Sequence, residues 1–228
     1  MTVTYVTKAS SEAEHERIVA KYLSQKHVFE RFMKGVVDIF TLEPDLNTSH
    51  NPTIYTVKSR LKDPEHLRDK LKRKEDGQDP ITVDNVFERI TDFAGVRVLH
   101  MYQDQFKQIH ELIMSQDWHI KETPVAYSWD PESTEHFRDL GLEPKIKPSY
   151  YTSIHYLVQP KEGADICCEI QVRTLFEEIW GEIDHTINYP HPVDSIACKE
   201  QLRVLSKLVS TGTRLADSIF RTYNHGKN

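Results

Sequence analysis

The sequence lacks the features that mark membrane and secreted proteins. Among its 228 residues, no apolar run approaches the roughly 20 residues that a membrane span needs. Residues 1–15 contain no apolar segment typical of a signal peptide. The three cysteines, of which Cys167 and Cys168 are adjacent, provide no disulfide framework. We therefore expect a cytoplasmic globular protein, and its length favours a single domain.

The motifs of several common enzyme classes are also missing. The eight glycines never form GxGxxG or GxxxxGK[ST]. No HExxH, CxxC or GxSxG motif occurs, and the twelve histidines are not spaced as zinc ligands. There is no His-Asp dipeptide, the simplest signature of a metal-dependent phosphohydrolase. These absences argue against dinucleotide-binding, P-loop, zinc-protease, serine-hydrolase and phosphohydrolase chemistry.

Negative charge exceeds positive charge overall, and the positive charge is concentrated in one segment. The net charge is −6, yet residues 58–74 contain eight basic residues against three acidic ones, a local charge of +5 that leaves −11 for the rest of the chain. A basic patch in an acidic protein favours a small polyphosphate ligand over a long nucleic acid. A solvated helix face is the alternative explanation.

The hydrophobic pattern predicts strands between long helices. Residues 11–14 are typical of a capping box, and the apolar spacing that follows predicts an amphipathic helix to about Phe40. Asp63 and Pro64 supply an N-cap and a first helical residue. Further strands are predicted over 55–60, 94–101, 118–122, 151–159 and 166–173, and further helices over 63–74, 106–114, 175–188 and 196–222. The pattern indicates an α+β domain with a mixed sheet.

Two segments need separate interpretation. Residues 122–149 contain four prolines and little periodicity, which favours a functional loop with one helix near 133–140. The final helix carries apolar residues that are predicted to share one side and to pack on the same domain rather than in an oligomer. These residues are Leu202, Leu205, Leu208, Leu215 and Ile219.

Two of the predicted strands carry polar side chains on one face. Period-2 alternation places Glu169, Gln171 and Arg173 on one side of their strand, with apolar residues on the other. On the preceding strand the shared face carries Tyr151, Ser153 and His155. If the two strands pair, an acid, an amide, an imidazole and an aromatic ring converge at a site on a rigid element.

Each of these residues also has a simpler explanation. Glu169 and Arg173 are compatible with an ion pair, and Asp92, which precedes the strand carrying Gly95 and Arg97, is compatible with a turn cap. A lone His155 is more often a surface histidine, and Tyr151 is more often a core residue. The order of the motifs along the chain is therefore more informative than any single residue.

That order resembles the synthetase domain of the RelA/SpoT-type alarmone synthetases. The matching segments are SRLKDPEHLRDKLKRK (59–74), RITDFAGVRVLH (89–100), YYTSIHYLV (150–158) and CEIQVRTLFEEIWGEIDH (168–185). The length is similar to that of the small, single-domain members. The expected organisation is thus one synthetase domain over 1–228, with a catalytic core over about 55–190 and helical flanks over 11–41 and 194–222.

The resemblance implies a nucleotidyltransferase-like mixed β-sheet flanked by helices, with long N- and C-terminal helices. It implies transfer of a pyrophosphate group from ATP to the 3′-hydroxyl of GDP or GTP, with release of AMP. It implies that ATP is bound by Arg60, Lys62, Lys70, Lys74 and Arg97, the two arginines flanking the adenine. It implies that Asp92 and Glu169 are the catalytic residues and hold Mg²⁺. It implies that the acceptor nucleotide is bound by Lys147, Tyr151, His155 and Gln171, with Tyr151 stacking on its base.

Two departures from the family pattern leave the acceptor open. Tyr150 occupies a position where the family usually has glycine, and His66 replaces a common serine. One alternative is a toxic small synthetase that uses adenine nucleotides or the 3′ end of tRNA, although the charge of −11 outside residues 58–74 argues against tRNA. The second is a catalytically silent nucleotide-sensing module, against which the presence of both Asp92 and Glu169 argues. A homo-oligomer is also compatible with the sequence.

Overall fold

A computed structural model of the protein describes residues 8–74, 80–189 and 192–226. Its strands are β1 Thr56–Leu61, β2 Ala94–His100, β3 His119–Ile120, β4 Val125–Tyr127, β5 Glu143–Lys145, β6 Ser153–Gln159 and β7 Cys168–Thr174. Its α-helices are α1 Lys8–Leu42, α2 Pro64–Lys74, α3 Val86–Arg89, α4 Phe106–Met114, α5 Pro131–Asp139, α6 Leu175–Asn188 and α7 Ile196–His225. Within these ranges, no helix has the length and apolar character needed to cross a bilayer.

The strands form one mixed sheet in the order β1-β2-β7-β6-β4-β5, with β3 pairing to β6. The central pair β2 and β7 is parallel, whereas β1–β2 and β6–β7 are antiparallel. β6 and β7 form an antiparallel hairpin, and Gly163 in the connection between them adopts φ +71°. The predicted α+β class with long terminal helices is therefore confirmed.

Helix α1 covers the apolar face of the sheet and fixes the start of the basic segment. Tyr22 and Phe29 pack against Phe93, with ring centroids 4.8 and 5.3 Å apart. The hydroxyl of Tyr22 donates to the backbone carbonyl of Lys62 at 2.8 Å. Tyr22 is fully buried, and the backbone N–H of Lys62 also donates to the carbonyl of the core residue Phe93 at 2.8 Å. The backbone that carries Lys62 is therefore held in a fixed place relative to the sheet.

The prediction that residues 11–14 form the capping box of the first helix is wrong. Helix α1 already begins at Lys8, so Ser11 lies inside it. No proline or glycine precedes Ser11, and nothing in the local sequence stops the helix from extending back. By contrast, Asp63 does cap α2, because its Oδ1 accepts from the backbone N–H groups of Glu65 and His66 at 2.8 and 3.2 Å.

The helix predicted near 133–140 is present as α5, whereas the loop predicted for the rest of the segment is wrong at β4 and β5. Residues 122–149 are therefore only partly a loop. They contain β4, α5 and β5, so this segment completes one edge of the sheet. Pro131 starts α5 behind its N-cap Asp130. Pro144 lies in β5 at the edge of the sheet, where a missing backbone N–H is tolerated. Pro131 and Pro144 therefore mark a helix start and a sheet edge, whereas Pro148 lies in a turn.

Helix α7 does not bury the apolar side that was predicted to pack on the domain. Leu202 is buried, but Leu208, Leu215 and Ile219 are 64%, 60% and 57% exposed. The inward face is largely polar and carries Leu202, Ser206, Val209, Thr213 and Asp217. Hydrogen bonds set this rotation: Ser206 Oγ donates to the Tyr150 carbonyl at 2.7 Å, and Asp217 accepts from the Asp104 N–H at 2.9 Å. The prediction that the leucines pack on the domain is thus wrong for most of the helix.

Candidate active site

One face of strands β1, β2 and β7 is polar because their registers align. Arg60 on β1 lies opposite Gly95 on β2, and Gly95 lies opposite Glu169 on β7. Arg97 lies opposite Gln171. The alternate residues of β2 and β7 are buried in the core, so the polar side chains all point away from α1.

These side chains surround a cleft of about 260 Å³. Its lining includes Arg60, Asp92, Gly95, Arg97, Glu169 and Gln171. Gly95 occupies the floor, where a Cβ would lie 3.9 Å from the Arg60 carbonyl oxygen and 4.0 Å from that of Glu169. The glycine therefore leaves open the space between two guanidinium groups and two carboxylates, which is a suitable environment for an anionic ligand that carries a metal ion.

Asp92 is held between two lysines rather than capping a turn. Lys62 Nζ lies 2.9 Å from its Oδ2, and Lys70 Nζ lies 2.8 Å from its Oδ1. Burial alone raises the pKa of Asp92, but the two ammonium groups outweigh burial and bring the pKa down to about 2. The carboxylate is consequently ionised at neutral pH, with two cations in direct contact.

Glu169 is the other carboxylate of the cleft, and both of its oxygens accept hydrogen bonds. His155 Nδ1 lies 3.1 Å from Oε1, and Gln171 Nε2 donates to Oε2 at 2.7 Å. Burial raises its pKa, whereas the bond to His155 lowers it, and the net direction is downward. Arg173 forms its ion pair with Glu178 instead, so the explanation of Glu169 and Arg173 as a pair is wrong.

His155 connects the carboxylate of Glu169 to the hydroxyl of Tyr151. Its Nε2 lies 2.9 Å from the hydroxyl of Tyr151. A neutral imidazole that donates from Nδ1 to Glu169 accepts at Nε2 from the Tyr151 O–H. The hydroxyl of Tyr151 in turn accepts from Arg173 Nη2. The predicted convergence of acid, amide, imidazole and aromatic ring is therefore present in the structure.

The segment before β6 places a cation over two aromatic rings. Lys147 Nζ lies 4.1 Å from the ring centroid of Tyr127 and 4.2 Å from that of Tyr151. Burial lowers the pKa of Lys147. Tyr150 adopts φ +61°, the left-handed conformation that favours glycine, and its ring packs 5.7 Å from that of Trp129. The non-glycine residue at this position therefore keeps the backbone conformation of a glycine.

A second cavity of about 320 Å³ adjoins the cleft, since Arg60, Arg97 and Gln171 line both. Tyr151, Glu182 and Tyr189 are among its other lining residues. His66, which differs from the usual family residue, packs behind this cavity. The centroid of its ring lies 5.1 Å from that of Tyr189, and the Tyr189 ring stacks on His185 with centroids 4.7 Å apart.

Lys74 is the least enclosed of the predicted site residues. It is the exposed last residue of α2, one turn beyond Lys70. Burial of its ammonium, followed by the charges of Lys70 and Arg89, lowers its pKa. The structure thus brings Arg60, Lys62, Lys70 and Asp92 together more closely than it does Lys74.

Sequence reasoning missed Glu178, whose side chain contacts the site from α6. Its carboxylate is only 7% exposed and pairs with Lys58, Arg97 and Arg173. The signal was weak because Glu178 is one of two adjacent glutamates in a helix. Only the position of α6 over the sheet distinguishes it from its neighbour.

The carboxylates of the cleft fit a divalent cation that is shared with a substrate. Within residues 8–74, 80–189 and 192–226, no group of three or more His, Cys, Asp or Glu side chains is arranged to hold a metal. Asp92 and Glu169 nevertheless line the same cleft. Mg²⁺ is commonly bound by one or two carboxylates together with substrate phosphates and water. This donor set therefore fits a metal that arrives with a nucleotide.

Comparison with known proteins supplies a family for this geometry. The model described as the region found in RelA / SpoT proteins matches residues 59–194. The GTP pyrophosphokinase YjbM of Bacillus subtilis (strain 168) is 25% identical over 209 residues, which are 91% of this chain and 88% of the relative. The GTP pyrophosphokinase YwaC of the same organism is 29% identical over 157 residues, which are 66% of this chain and 65% of the relative.

A solved structure shares the fold across nearly the whole chain. The crystal structure of small alarmone synthetase 1 from Bacillus subtilis, bound to its product pppGpp, aligns with a TM-score of 0.61 at 21% identity. The alignment covers 91% of this chain and 96% of that one. The sheet and its flanking helices are therefore those of an alarmone synthetase fold.

Proposed function

The chain belongs to the family of RelA and SpoT proteins, and on that basis we propose that it transfers a pyrophosphate group from ATP to the 3′-hydroxyl of GDP or GTP. The 3′-oxygen attacks the β-phosphorus of ATP, the bond from that phosphorus to the α,β-bridging oxygen breaks, and AMP leaves. The observation that carries the proposal is the pair of carboxylates, Asp92 and Glu169, in one cleft between two arginines and a tyrosine-containing cavity.

Arg60 and Arg97 bind the adenine of ATP in this proposal. Their guanidinium groups flank the glycine floor of the cleft, and planar guanidinium groups stack well on aromatic bases. Lys62, Lys70 and Lys74 bind the phosphates. A triphosphate carries more negative charge than a single carboxylate, so it competes with Asp92 for Lys62 and Lys70 and releases the Asp92 oxygens.

Mg²⁺ is the cofactor in this proposal, and Asp92 and Glu169 are its protein ligands. When bound, the ion neutralises charge that develops on the transferred group. Glu169 also acts as the general base in this proposal. Its lowered pKa keeps the carboxylate ionised, and the carboxylate accepts the proton of the attacking hydroxyl. His155 and Gln171 orient its two oxygens.

The acceptor nucleotide occupies the side of Tyr151. Lys147 Nζ lies 4.2 Å from the Tyr151 ring centroid, so in this proposal the ammonium moves from the ring to the acceptor phosphates and the base stacks in its place. In the described part of the chain, the lysines and arginines around the cleft are sufficient for binding mononucleotides. The acidic remainder of the chain argues against tRNA. GDP and GTP are therefore the proposed acceptors.

We also propose that residues 1–228 act in the cytoplasm as one synthetase domain. Helix α1 shares a core with the sheet, and α7 hydrogen-bonds to the segment that carries Tyr151. Both flanking helices therefore support the same site. The cytoplasm is where ATP and guanine nucleotides are available together.

Product analysis with competing acceptors tests the proposal. The protein is incubated with γ-labelled ATP, Mg²⁺ and one of GDP, GTP, ADP or deacylated tRNA, and the products are separated. We expect AMP together with a labelled guanosine product in the GDP and GTP reactions. Labelled tRNA or adenosine product in preference to guanosine product would support the toxic alternative, and tight binding without turnover would support the silent module.

A further inference from the structure

Glu178 is a buried carboxylate that contacts cations from three different strands. It projects from α6 onto the polar face of the sheet, and the residue is 5% exposed. Its partners are Lys58 on β1, Arg97 on β2 and Arg173 on β7. Arg97 and Arg173 belong to different parts of the site, and the single carboxylate of Glu178 contacts both parts through them.

On the ATP side, Glu178 fixes Arg97. Its Oε1 accepts from Arg97 Nη1 at 2.7 Å and from Lys58 Nζ at 3.0 Å. Arg97 Nη1 also donates to Glu182 Oε1 at 2.6 Å, one helical turn further along α6. Arg97 is therefore held by two carboxylates, of which only Glu178 is buried.

On the acceptor side, Glu178 fixes Arg173. Its Oε2 accepts from Arg173 Nη1 at 3.3 Å, and the guanidinium is 5% exposed. The other guanidinium nitrogens donate to the Tyr151 hydroxyl, to Gln171 Oε1 at 3.0 Å and to Ser153 Oγ at 3.0 Å. Arg173 thus positions the tyrosine and the amide that surround the acceptor cavity.

Removing the charge of Glu178 leaves a buried cation without its counter-ion. A buried charge that loses its partner is strongly unfavourable, so the guanidinium of Arg173 has to move or draw in water. Either response disturbs Tyr151 and Gln171. The same change removes one of the two carboxylates that orient Arg97.

We propose that Glu178 is a positioning residue that holds the ATP-side and acceptor-side residues in register, through Arg97 on one side and Arg173 on the other. This inference rests on the proposed function, because it assigns Arg97 to ATP and Tyr151 to the acceptor. It adds a residue to the site that touches neither nucleotide and acts on both.

Glu182→Gln is the matched control for Glu178→Gln. Both glutamates contact Arg97 through Nη1, but the hydrogen bonds of Arg173 go to Glu178 and not to Glu182. Direct titration of the folded protein with a non-hydrolysable ATP analogue and, separately, with GDP gives the two dissociation constants without requiring turnover. KM values for both substrates and melting temperatures are measured beside them.

We expect Glu178→Gln to raise the dissociation constants of both nucleotides by about tenfold, as for the loss of charge-assisted hydrogen bonds. Glu182 lines both cavities but does not contact Arg173, so we expect Glu182→Gln to raise the dissociation constant of the ATP analogue more than that of GDP. If Glu178→Gln does not fold, Glu178→Asp is measured in its place. The shorter side chain keeps the charge but draws it away from Arg173, which is the longer of the two arginine contacts. We therefore expect Glu178→Asp to weaken GDP binding most. Unchanged GDP affinity in the folded Glu178 variant would overturn the inference. A wild-type protein that binds both nucleotides but makes no product would overturn the proposed function instead.

Discussion

Glu169 has a hydrogen-bond partner on each oxygen, and this arrangement sets what a substitution does. His155 and Gln171 hold the carboxylate in place, and its ionised form is favoured despite burial. An amide at this position keeps the size and much of the hydrogen bonding but loses the charge. The chemical role and the structural role can therefore be separated in one variant.

We expect Glu169→Gln to abolish turnover while sparing most nucleotide affinity, because it removes the base and a metal ligand but leaves the cleft intact. Single-turnover rates and binding titrations measure the two effects, and a melting curve controls for folding. If the residue only braces the sheet, the variant would instead lose thermal stability in parallel with activity.

Asp92 contributes to stability through its two lysines, and the sign of its pH dependence follows from the shift. Its pKa in the folded protein is about 2, below the ordinary value of 3.8. The ionised form therefore favours folding at any pH above about 4, and this contribution is lost as the pH falls through 2.

Asp92→Asn should remove that dependence. We expect the difference in unfolding free energy between wild type and Asp92→Asn to shrink by about 2 kcal/mol as the pH falls from 4 to 2. Denaturant titrations across this range measure it. A difference that is independent of pH would mean that Lys62 and Lys70 do not favour the ionised carboxylate.

At the scale of elements, α7 supports the acceptor segment from outside the sheet. Ser206 Oγ donates to the Tyr150 carbonyl at 2.7 Å, and Arg203 Nε donates to the Pro148 carbonyl at 3.4 Å. These bonds hold the backbone between Lys147 and Tyr151. Left-handed backbone at a residue other than glycine persists only where the surroundings impose it, and here α7 does so.

Ser206→Ala should raise the KM for the acceptor while leaving the KM for ATP unchanged, since the lost hydrogen bond, worth about 1 kcal/mol, fixes only the acceptor segment. Steady-state kinetics with each substrate varied in turn measure the effect. Thr211→Ala is the control on the same helix, because Thr211 Oγ1 donates within α7 to the Lys207 carbonyl. Equal effects of both variants on both KM values would contradict this role.

The sequence predicted elements well where the signal is local. Helix α2 begins behind Asp63 as its cap predicts, and α4 and α6 have the predicted bounds. The strands β4 and β5 were missed because each has three residues and depends on sheet neighbours rather than on its own periodicity. The exposed leucines of α7 were misplaced because buried hydrogen bonds, which leave no hydrophobic pattern, set the rotation of the helix.

The sequence predicted which side chains share the polar face of the sheet, but not which of them form hydrogen bonds and ion pairs with one another. Period-2 alternation was enough to place Glu169, Gln171 and Arg173 together, and the strand register confirms that placement. Which carboxylate pairs with Arg173 depended on how α6 crosses the sheet, so Glu178 could not be identified in advance. The roles of individual residues in binding ATP and the acceptor remain predictions.

For the whole molecule, the uneven charge agrees with a nucleotide enzyme. Lys58 and Arg60 of β1 line a cleft sized for a small ligand, and Lys70 of α2 pairs with its Asp92, while the rest of the chain is acidic. Family membership and this distribution point to the same chemistry. We therefore expect the 3′-hydroxyl of a guanine nucleotide to receive the pyrophosphate group of ATP.

Transfer from γ-labelled ATP to GDP analogues that lack one sugar hydroxyl tests this claim most directly. We expect 2′-deoxy-GDP to give a labelled product and an equal amount of AMP, and 3′-deoxy-GDP to give neither, with Glu169→Gln inactive on both. Labelled product from 3′-deoxy-GDP, or release of label only as orthophosphate in the presence of GDP, would contradict the account.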